Sequence, residues 1–537
     1  MTFFKKPKKL TQVLQENQEI KEQNAQNNTN QSSSQITAQN HIQNEEDEIV
    51  VEEQMTIEEL IAEVKKPFSN TQDMVTHWIN LPSDDSKIVF LFLDSIIDKS
   101  ILKLHILNPF FELKKDIDLL SFEQIAGLEL KKQTDFTLVP QLLLQSNALV
   151  FTQDTSCYYS ILAPLNTQRD IKEPDNEAII RGSHEGFIES MTMNLALIRK
   201  QLKTPKLTIK YFKLGSETHT NVALVYVENI ANPDLVREVE RRITSIDAEA
   251  VYTLGNVEES IEDKPFSFFP QMLSTERPDR VAANMMEGRV ALVYDTSPTA
   301  HVLPVNFFTF YQSVDDYNKR WHIGSFFRAI RLFSFFIAIG LPAVYIATVS
   351  FHFEIIPFNL ILLVKGSLED IPYPPLFEAM LMELTIELIR EASIRLPTRI
   401  GTTIAIVGGL VIGDAVVKAG LVSNLMIIVV AITAIAAYIV PSNEMSAAVR
   451  ILRFPFMLAA ATLGFLGIVF GFIVLLFHLC KLYTFGSPYF APLAPFKIDD
   501  MKDAIIRLPF WKQNKRPNDA SPLKRDQANR TRKWDRN

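Results

Sequence analysis

The stretch Glu378-Ala-Met-Leu-Met-Glu-Leu-Thr-Ile-Glu-Leu-Ile-Arg-Glu391 decides the fold, together with its continuation through Arg395-Leu-Pro-Thr-Arg399 and Ile406-Val-Gly-Gly-Leu-Val-Ile-Gly-Asp-Ala415. Its first half is apolar yet carries Glu378, Glu383, Glu387, Arg390 and Glu391. Its second half is small and apolar. At helical spacing Glu383, Glu387 and Glu391 share one side of the rod, with Arg390 beside them. Glu391 and Arg395 stand four apart in the order that favours an ion pair. A carboxylate at the centre of a bilayer costs about 2.5–3.5 kcal/mol on insertion scales. A row of them must face protein, water or one another. Two readings stay open: the wet face of an interfacial helix, or the lining of an oligomeric pore or gate. Gly409 and Gly413 stand at GxxxG spacing, which lets two membrane helices approach closely. Asp414 and Lys418 sit one turn apart in the same run, either as a simple ion pair or as a cation-binding or gating pair.

Outward from this stretch, four apolar segments are long enough to cross a bilayer. They are Ala329–Ser350, Ile400–Val417, Leu421–Val440 and Phe454–Leu479. The last repeats the close-packing spacing at Gly467 and Gly471. Lys319, Arg320, Arg328 and Arg331 flank the first and hold that end in the cytoplasm. The basic stretch from Lys497 onward predicts a cytoplasmic C-terminal region as well. Four crossings satisfy both ends and leave the acidic helix at the outer surface or re-entrant. Ser442, Arg395, Arg399, Arg450 and Arg453 then fall toward the outer side, against the positive-inside rule.

The chain has 537 residues and a net charge of −8, which argues against nucleic acid as a partner. A mean hydropathy of +0.07 in a chain with a polar N-terminal stretch concentrates the apolar residues after about residue 325. Cys157 and Cys480 are the only cysteines, so no disulfide framework or CxxC metal site is expected. The N-terminal Met1-Thr-Phe-Phe-Lys-Lys lacks a following apolar run, so no signal peptide is expected. No P-loop, GxGxxG or HExxH occurs. No enzyme, cofactor or metal site is expected.

Residues 1–55 are rich in Asn, Gln and Ser and predict disorder. Thr56-Ile-Glu-Glu59 predicts a helix start with a capping box. From about 66 to 310 strand-like and helix-like runs alternate, which predicts α/β packing. Strands are expected at Lys87–Leu93, Ala148–Thr152, Tyr158–Leu162, Leu207–Tyr211, Asn221–Val227, Arg289–Tyr294 and His301–Val305. Helices are expected at Asp94–Leu107, Gly186–Leu202, Pro233–Ile246 and Arg277–Glu287. The charged, proline-bearing run near 169–176 divides two small lobes, 56–170 and 171–318. The architecture is therefore multi-domain: two cytosolic α/β lobes, an all-α polytopic membrane domain over 319–485, and a basic cytosolic tail over 486–537. Two polar clusters stand out in the second lobe. Arg181-Gly-Ser-His-Glu185 precedes a helix and reads either as an anion site or as a self-capped loop. Glu276, Arg277 and Asp279 surround a helix entry at Pro278.

Several motifs resemble one family. Glu383-Leu-Thr-Ile-Glu-Leu-Ile-Arg-Glu-Ala392, Arg395-Leu-Pro and Ile406–Gly413 are similar to the membrane domain of the A subunits of GerA-family spore germination proteins. Glu177-Ala-Ile-Ile-Arg-Gly182, Phe269-Pro-Gln271, Thr275-Glu-Arg-Pro-Asp279, Arg453-Phe-Pro455 and Pro488-Tyr-Phe-Ala-Pro-Leu-Ala-Pro495 fit the same family in the same order. Thr296, and Asn443-Glu444 after Pro441-Ser442, depart from its usual pattern. The resemblance implies a germinant receptor subunit in the spore inner membrane. It implies a permease-like B subunit and a lipoprotein C subunit as partners, and homo-oligomeric assembly into a ligand-gated channel for monovalent cations. On that reading Glu383, Glu387, Arg390, Glu391, Asp414 and Lys418 are pore or gate candidates. Gly409, Gly413, Gly467 and Gly471 are packing positions. Arg181, Glu185, Glu276, Arg277 and Asp279 are candidates for coupling the lobes to the membrane domain. A non-conducting scaffold is the alternative, and a solute transporter acting alone a lesser one, since no internal repeat is seen.

Overall fold

The structure is a computed structural model that describes residues 55–80, 87–103, 130–152, 155–165, 173–174, 176–177, 179–369, 371–395 and 413–528. The predicted capping box is present at the first helix, α1 (Ile57–Lys65). Thr56 N–H donates to Glu59 Oε2 at 2.9 Å, and Glu59 N–H donates to Thr56 Oγ1 at 3.3 Å. Strands β1 (Met74–Asn80), β2 (Lys87–Leu93), β3 (Leu130–Gln133), β4 (Asn147–Phe151) and β5 (Tyr158–Leu162) form one sheet in the order β1-β2-β4-β5-β3. Short helices α2 (Lys99–Leu102) and α3 (Val139–Leu144) connect them. Of the helix expected over Asp94–Leu107, only Lys99–Leu102 is α-helical among the described residues. Asp98 caps that turn by accepting from Ser100 N–H.

The second sheet holds β6 (Leu207–Leu214), β7 (Thr220–Val227), β8 (Leu273–Thr275), β9 (Val290–Tyr294) and β10 (Ala300–Leu303), in the order β6-β7-β9-β10-β8. Around it lie α4 (Met191–Gln201), α5 (Pro233–Thr244), α6 (Leu254–Ile261) and α7 (Pro278–Met286). Every pairing in both sheets is antiparallel. Alternating strands and helices suggest parallel βαβ units, but hairpins such as β6–β7 close within six residues and leave no room for a crossover helix. The two sheets are tied by a buried ion pair. Arg199 on α4 donates from Nε and Nη2 to Asp73 at 2.8 and 2.7 Å. Thr71 and Gln72 hydrogen-bond the backbone of Ile209 and so cover the free edge of β6.

The helical half begins with α8 (Val314–Asn318) and α9 (Trp321–Phe351). It continues through α10 (Phe358–Glu369), α11 (Pro375–Arg395), α12 (Gly413–Lys418), α13 (Asn424–Tyr438), α14 (Asn443–Leu463) and α15 (Phe465–Lys481). The single span expected over Phe454–Leu479 is instead two helices. Gly464 adopts φ 61°, a left-handed conformation that suits glycine, and turns the chain back on itself. The two arms pack closely. A Cβ at Gly467 would lie 2.0 Å from the Ala459 carbonyl oxygen, and one at Gly471 would lie 3.0 Å from the Phe456 ring.

This hairpin also reverses the expected placement of Ser442. The start of α14 lies beside the second sheet, where Asn443 Nδ2 donates to Asn176 Oδ1 at 3.3 Å. The far end of α14 meets the far end of α9, since Gly464 packs on Phe351 and His352. Arg450 thus stands on the sheet-side half of α14 and Arg453 at its midpoint, neither at the far end. The acidic helix is not peripheral either. Glu378 and Glu383 on α11 are buried among α9, α13 and α14. One continuous apolar core runs from the face of the second sheet, through Phe307, Phe310 and Tyr489, into α9, α13 and α14. The basic C-terminal region is folded back onto the second sheet. Asp519 accepts from Arg289 at 2.7 Å, and Arg516 donates to the Met286 carbonyl at 2.5 Å.

Candidate functional site

The charges of α11 meet charges on α14. Glu383 and Glu387 are one turn apart, as are Arg450 and Arg453, so two helical faces present matching rows. Arg453 Nη1 donates to Glu383 Oε2, and both side chains are fully buried. Arg450 Nε lies 3.1 Å from Glu387 Oε1, with Arg453 Nη2 at 4.0 Å and Arg390 Nη1 at 3.8 Å from the same carboxylate. Arg390 also stacks on Tyr438 of α13, its guanidinium 5.5 Å from the ring centre. The predicted pair of Glu391 with Arg395 forms at 2.6 Å, but it is exposed and separate from the buried group.

Another carboxylate is buried in the first turn of the same helix. Glu378 Oε1 accepts from Ser423 N–H at 2.6 Å and from the Ser423 hydroxyl. Tyr345 of α9 lies 3.0 Å from that hydroxyl. Glu378 therefore sits at the start of α13, where free N–H groups favour negative charge. Glu378 Oε2, Glu383 Oε1 and Arg453 Nε have no hydrogen-bond partner among the described residues. The cluster thus keeps donor and acceptor capacity in reserve inside an apolar bundle.

The other expected residues fall in different places. Gly409 and the side chain of Asp414 lie outside the described residues, and Lys418 is exposed at the end of α12. A Cβ at Gly413 would meet no described atom within 4 Å. Arg277 is buried. It donates to Asp279 at 3.1 and 2.7 Å and to the carbonyls of Glu177 and Ser183 at 3.3 and 2.8 Å. Glu276 accepts from Asn176 Nδ2 at 2.5 Å, and Asn176 in turn touches Asn443 of α14. The Arg181 carbonyl accepts from Asn318 at the end of α8. Arg181, Glu276, Arg277 and Asp279 therefore gather where the second sheet meets the helices. Glu185 does not join them, because it pairs with Lys200 on α4.

Sequence reasoning assigned no role to several residues that complete this junction. Asp316, buried on α8, accepts from Arg331 at 2.7 and 2.8 Å. It also lies 3.4 Å from Arg328 Nε, while Arg328 reaches Asp503 at 3.0 Å. Arg280 pairs with Glu177 and donates to the carbonyls of Thr309 and Gln312 at 3.2 and 3.3 Å. Burial pushes the Asp503 carboxyl above its ordinary range, and Arg328 beside it pulls the other way. On α6 and at its C-cap burial raises Glu258 and Glu262 to about 7, with neighbouring carboxylates adding to the shift. The available signal was charge economy. Arg450 and Arg453 in an apolar helix need buried partners, and the acidic row of α11 offers them.

Comparison with known proteins gives the family. Residues 62–519 match the family described as Bacillus/Clostridium GerA spore germination protein. Spore germination protein KA of Bacillus subtilis is 37% identical over 469 residues, covering 86% of each chain. A B. subtilis protein named uncharacterized membrane protein YfkQ is 39% identical over 433 residues, covering 80% of this chain and 84% of its own. A crystal structure of the N-terminal domain of the A subunit of the Bacillus megaterium spore germinant receptor GerK3 aligns at 24% identity with a TM-score of 0.36. It covers 48% of this chain and 99% of its own. The family match spans both sheets, the junction and the charged helical bundle, and this chain belongs to the GerA spore germination protein family.

Proposed function

We propose that this protein is the A-type subunit of a nutrient-germinant receptor that triggers spore germination, and that its helical half forms part of an oligomeric, ligand-gated cation channel in the spore inner membrane. The names of its relatives support the germination role. The membrane reading draws on two helices long and apolar enough to cross a bilayer, Trp321–Phe351 and Asn443–Leu463. Two shorter apolar helices, Asn424–Tyr438 and Phe465–Lys481, and a relative named as a membrane protein agree with it. The observation that carries the channel reading is the charged cluster of Glu378, Glu383, Glu387, Arg450 and Arg453 within that bundle. Charges at membrane depth are costly and mark ion pathways, relays and gates.

On this reading α9, α11, α13, α14 and α15 all cross. Both ends lie in the cytoplasm with the sheets. Arg395 falls toward the cytoplasmic side, in keeping with the positive-inside rule, while Arg450 and Arg453 lie at membrane depth opposite the acidic row. The lobes over 56–170 and 171–318 would couple nutrient binding to the bundle through the Arg277 and Asp316 networks. A permease-like B subunit and a lipoprotein C subunit would complete the receptor, with homo-oligomer contacts in the membrane domain.

One observation favours a second reading, a non-conducting scaffold. Glu383 and Glu387 are neutralised within the same chain by Arg453 and Arg450, so the row is not a bare acidic wall. Liposome reconstitution separates the two. Potassium efflux from protein-loaded vesicles, altered by Glu387→Gln with folding retained, fits a channel. Sealed vesicles carrying correctly inserted oligomer, with or without the other subunits and nutrient, fit the scaffold.

A further inference from the structure

The C-terminal segment carries an unexplained set of exposed apolar side chains. Ile506 is 53% exposed, Phe510 63% and Trp511 41%. An aqueous tail has no use for these residues in one short run. They are flanked by the exposed Lys512 and Lys515. Their height on the molecule is fixed. The buried Arg507 guanidinium donates to the carbonyls of Asp316 and Lys319 at 2.6 and 2.9 Å, just before α9. The Ser325 hydroxyl, one turn into α9, donates to the Arg507 carbonyl at 2.8 Å. Arg328 adds a contact to Asp503 at 3.0 Å. The segment is thus stapled beside the first turns of α9, whose own Phe326 and Phe327 are exposed.

We propose that residues 506–512 form an interfacial lipid anchor, lying in the membrane–water boundary at the foot of α9. Ile506, Phe510 and Trp511 occupy the headgroup–acyl boundary, and Lys512 and Lys515 face anionic headgroups. Three features select this occupant. The patch is continuous with the apolar surface of α9. It places a tryptophan and a phenylalanine where aromatic side chains partition at bilayer interfaces. Its rim carries the exposed cations Lys512 and Lys515, with Asp499 near Lys515, and those lysines suit an anionic leaflet. The anchor explains why the C-terminal region is clamped to α8 and α9 by three arginine contacts and not left free. It gives the cytoplasmic sheets a second hold on the bilayer, so that their orientation to the membrane is fixed. The proposal rests on the membrane reading of α9 and α15.

Site-directed spin labelling of the full-length protein tests it, in vesicles of phosphatidylcholine with phosphatidylglycerol. Cys480 is replaced by serine, and the buried Cys157 is retained. Labels are placed at Phe510→Cys, at Ile473→Cys on α15 as the lipid reference, and at Arg237→Cys on α5 as the water reference. The expected result is an oxygen-to-nickel accessibility ratio at position 510 well above that at 237 and approaching that at 473. A ratio at 510 equal to that at 237, with 473 lipid-like, overturns the anchor and leaves the membrane reading intact. Spin–spin broadening at 510 together with an accessibility ratio below that at 473 and no response to lipid identifies a second copy as the occupant and also overturns it. A water-like ratio at 473 overturns the membrane reading and the anchor together.

Discussion

Removing one charge of the Glu383–Arg453 pair probes the bundle most sharply. Glu383→Met leaves the Arg453 guanidinium fully buried, with Glu387 at 4.0 Å as its remaining carboxylate among the described residues. Arg453 Nε already lacks a hydrogen-bond partner among the described residues, so no local acceptor is at hand to absorb the loss. Stranding a buried charge costs about 3–5 kcal/mol. Replacing both partners, as Glu383→Met with Arg453→Met, removes the stranded charge. That double change is expected to lie between neutral and about 4 kcal/mol more stable than the parent. The double variant should therefore be more stable than either single one, with a coupling of at least about 3 kcal/mol. Unfolding in mixed detergent micelles, followed by circular dichroism, gives the cycle. Strictly additive losses would refute the pairing and with it the sheltering of the acidic row. As an internal control, Glu391→Gln breaks only an exposed pair and should change stability by less than about 0.5 kcal/mol.

Three further outcomes follow from particular contacts. Gly467→Leu drives a side chain into the Ala459 carbonyl and should destabilise the α14–α15 hairpin by about 1–3 kcal/mol, whereas Gly413→Ala should be nearly neutral; equal effects in the same unfolding assay would contradict the hairpin packing. Arg199→Met leaves Asp73 buried without its cation, so it should cost about 3–5 kcal/mol and expose the linker between the sheets to limited proteolysis. Unchanged proteolysis would argue that the sheets are held otherwise. Glu258 and Glu262 are held near 7 by burial, against about 4.3 for a free glutamate, so the folded form binds protons that the unfolded chain has already released. The stability they contribute is full below about pH 4 and is lost as pH rises through about 7. Glu258→Gln should then match the parent near pH 4 and melt higher near pH 8; a lower melting point at the higher pH contradicts this.

Local signals were legible where a single element carried them. The capping box at Thr56 and Glu59, Pro278 at the first turn of α7, and the Glu391–Arg395 pair are all read from spacing alone. The two α/β lobes and the helical half were visible as a change in hydrophobic period. What spacing could not give was partnership across the fold. Arg450 and Arg453 look misplaced when Phe454–Leu479 is read as one span. An apolar run of that length hides a turn that needs only Gly464 in a left-handed conformation. Once the chain reverses there, the arginines fall opposite Glu383 and Glu387, and Ser442 moves to the sheet side. The antiparallel pairing was equally hidden, because alternation of strand and helix does not fix strand direction. Glu177, Asp316 and Asp503 acquire meaning only when three distant segments meet at the foot of α9.

The direction of α11 and α14 in the membrane is the claim on which the functional account stands. Single cysteines at Asn443 and Glu391, and at Ile356 beyond the far end of α9, can be labelled with a membrane-impermeant maleimide in vesicles of known orientation. The account predicts modification of positions 443 and 391 only from the side that bears the sheets, and of 356 only from the opposite side. Labelling of 443 from the side opposite the sheets would contradict it.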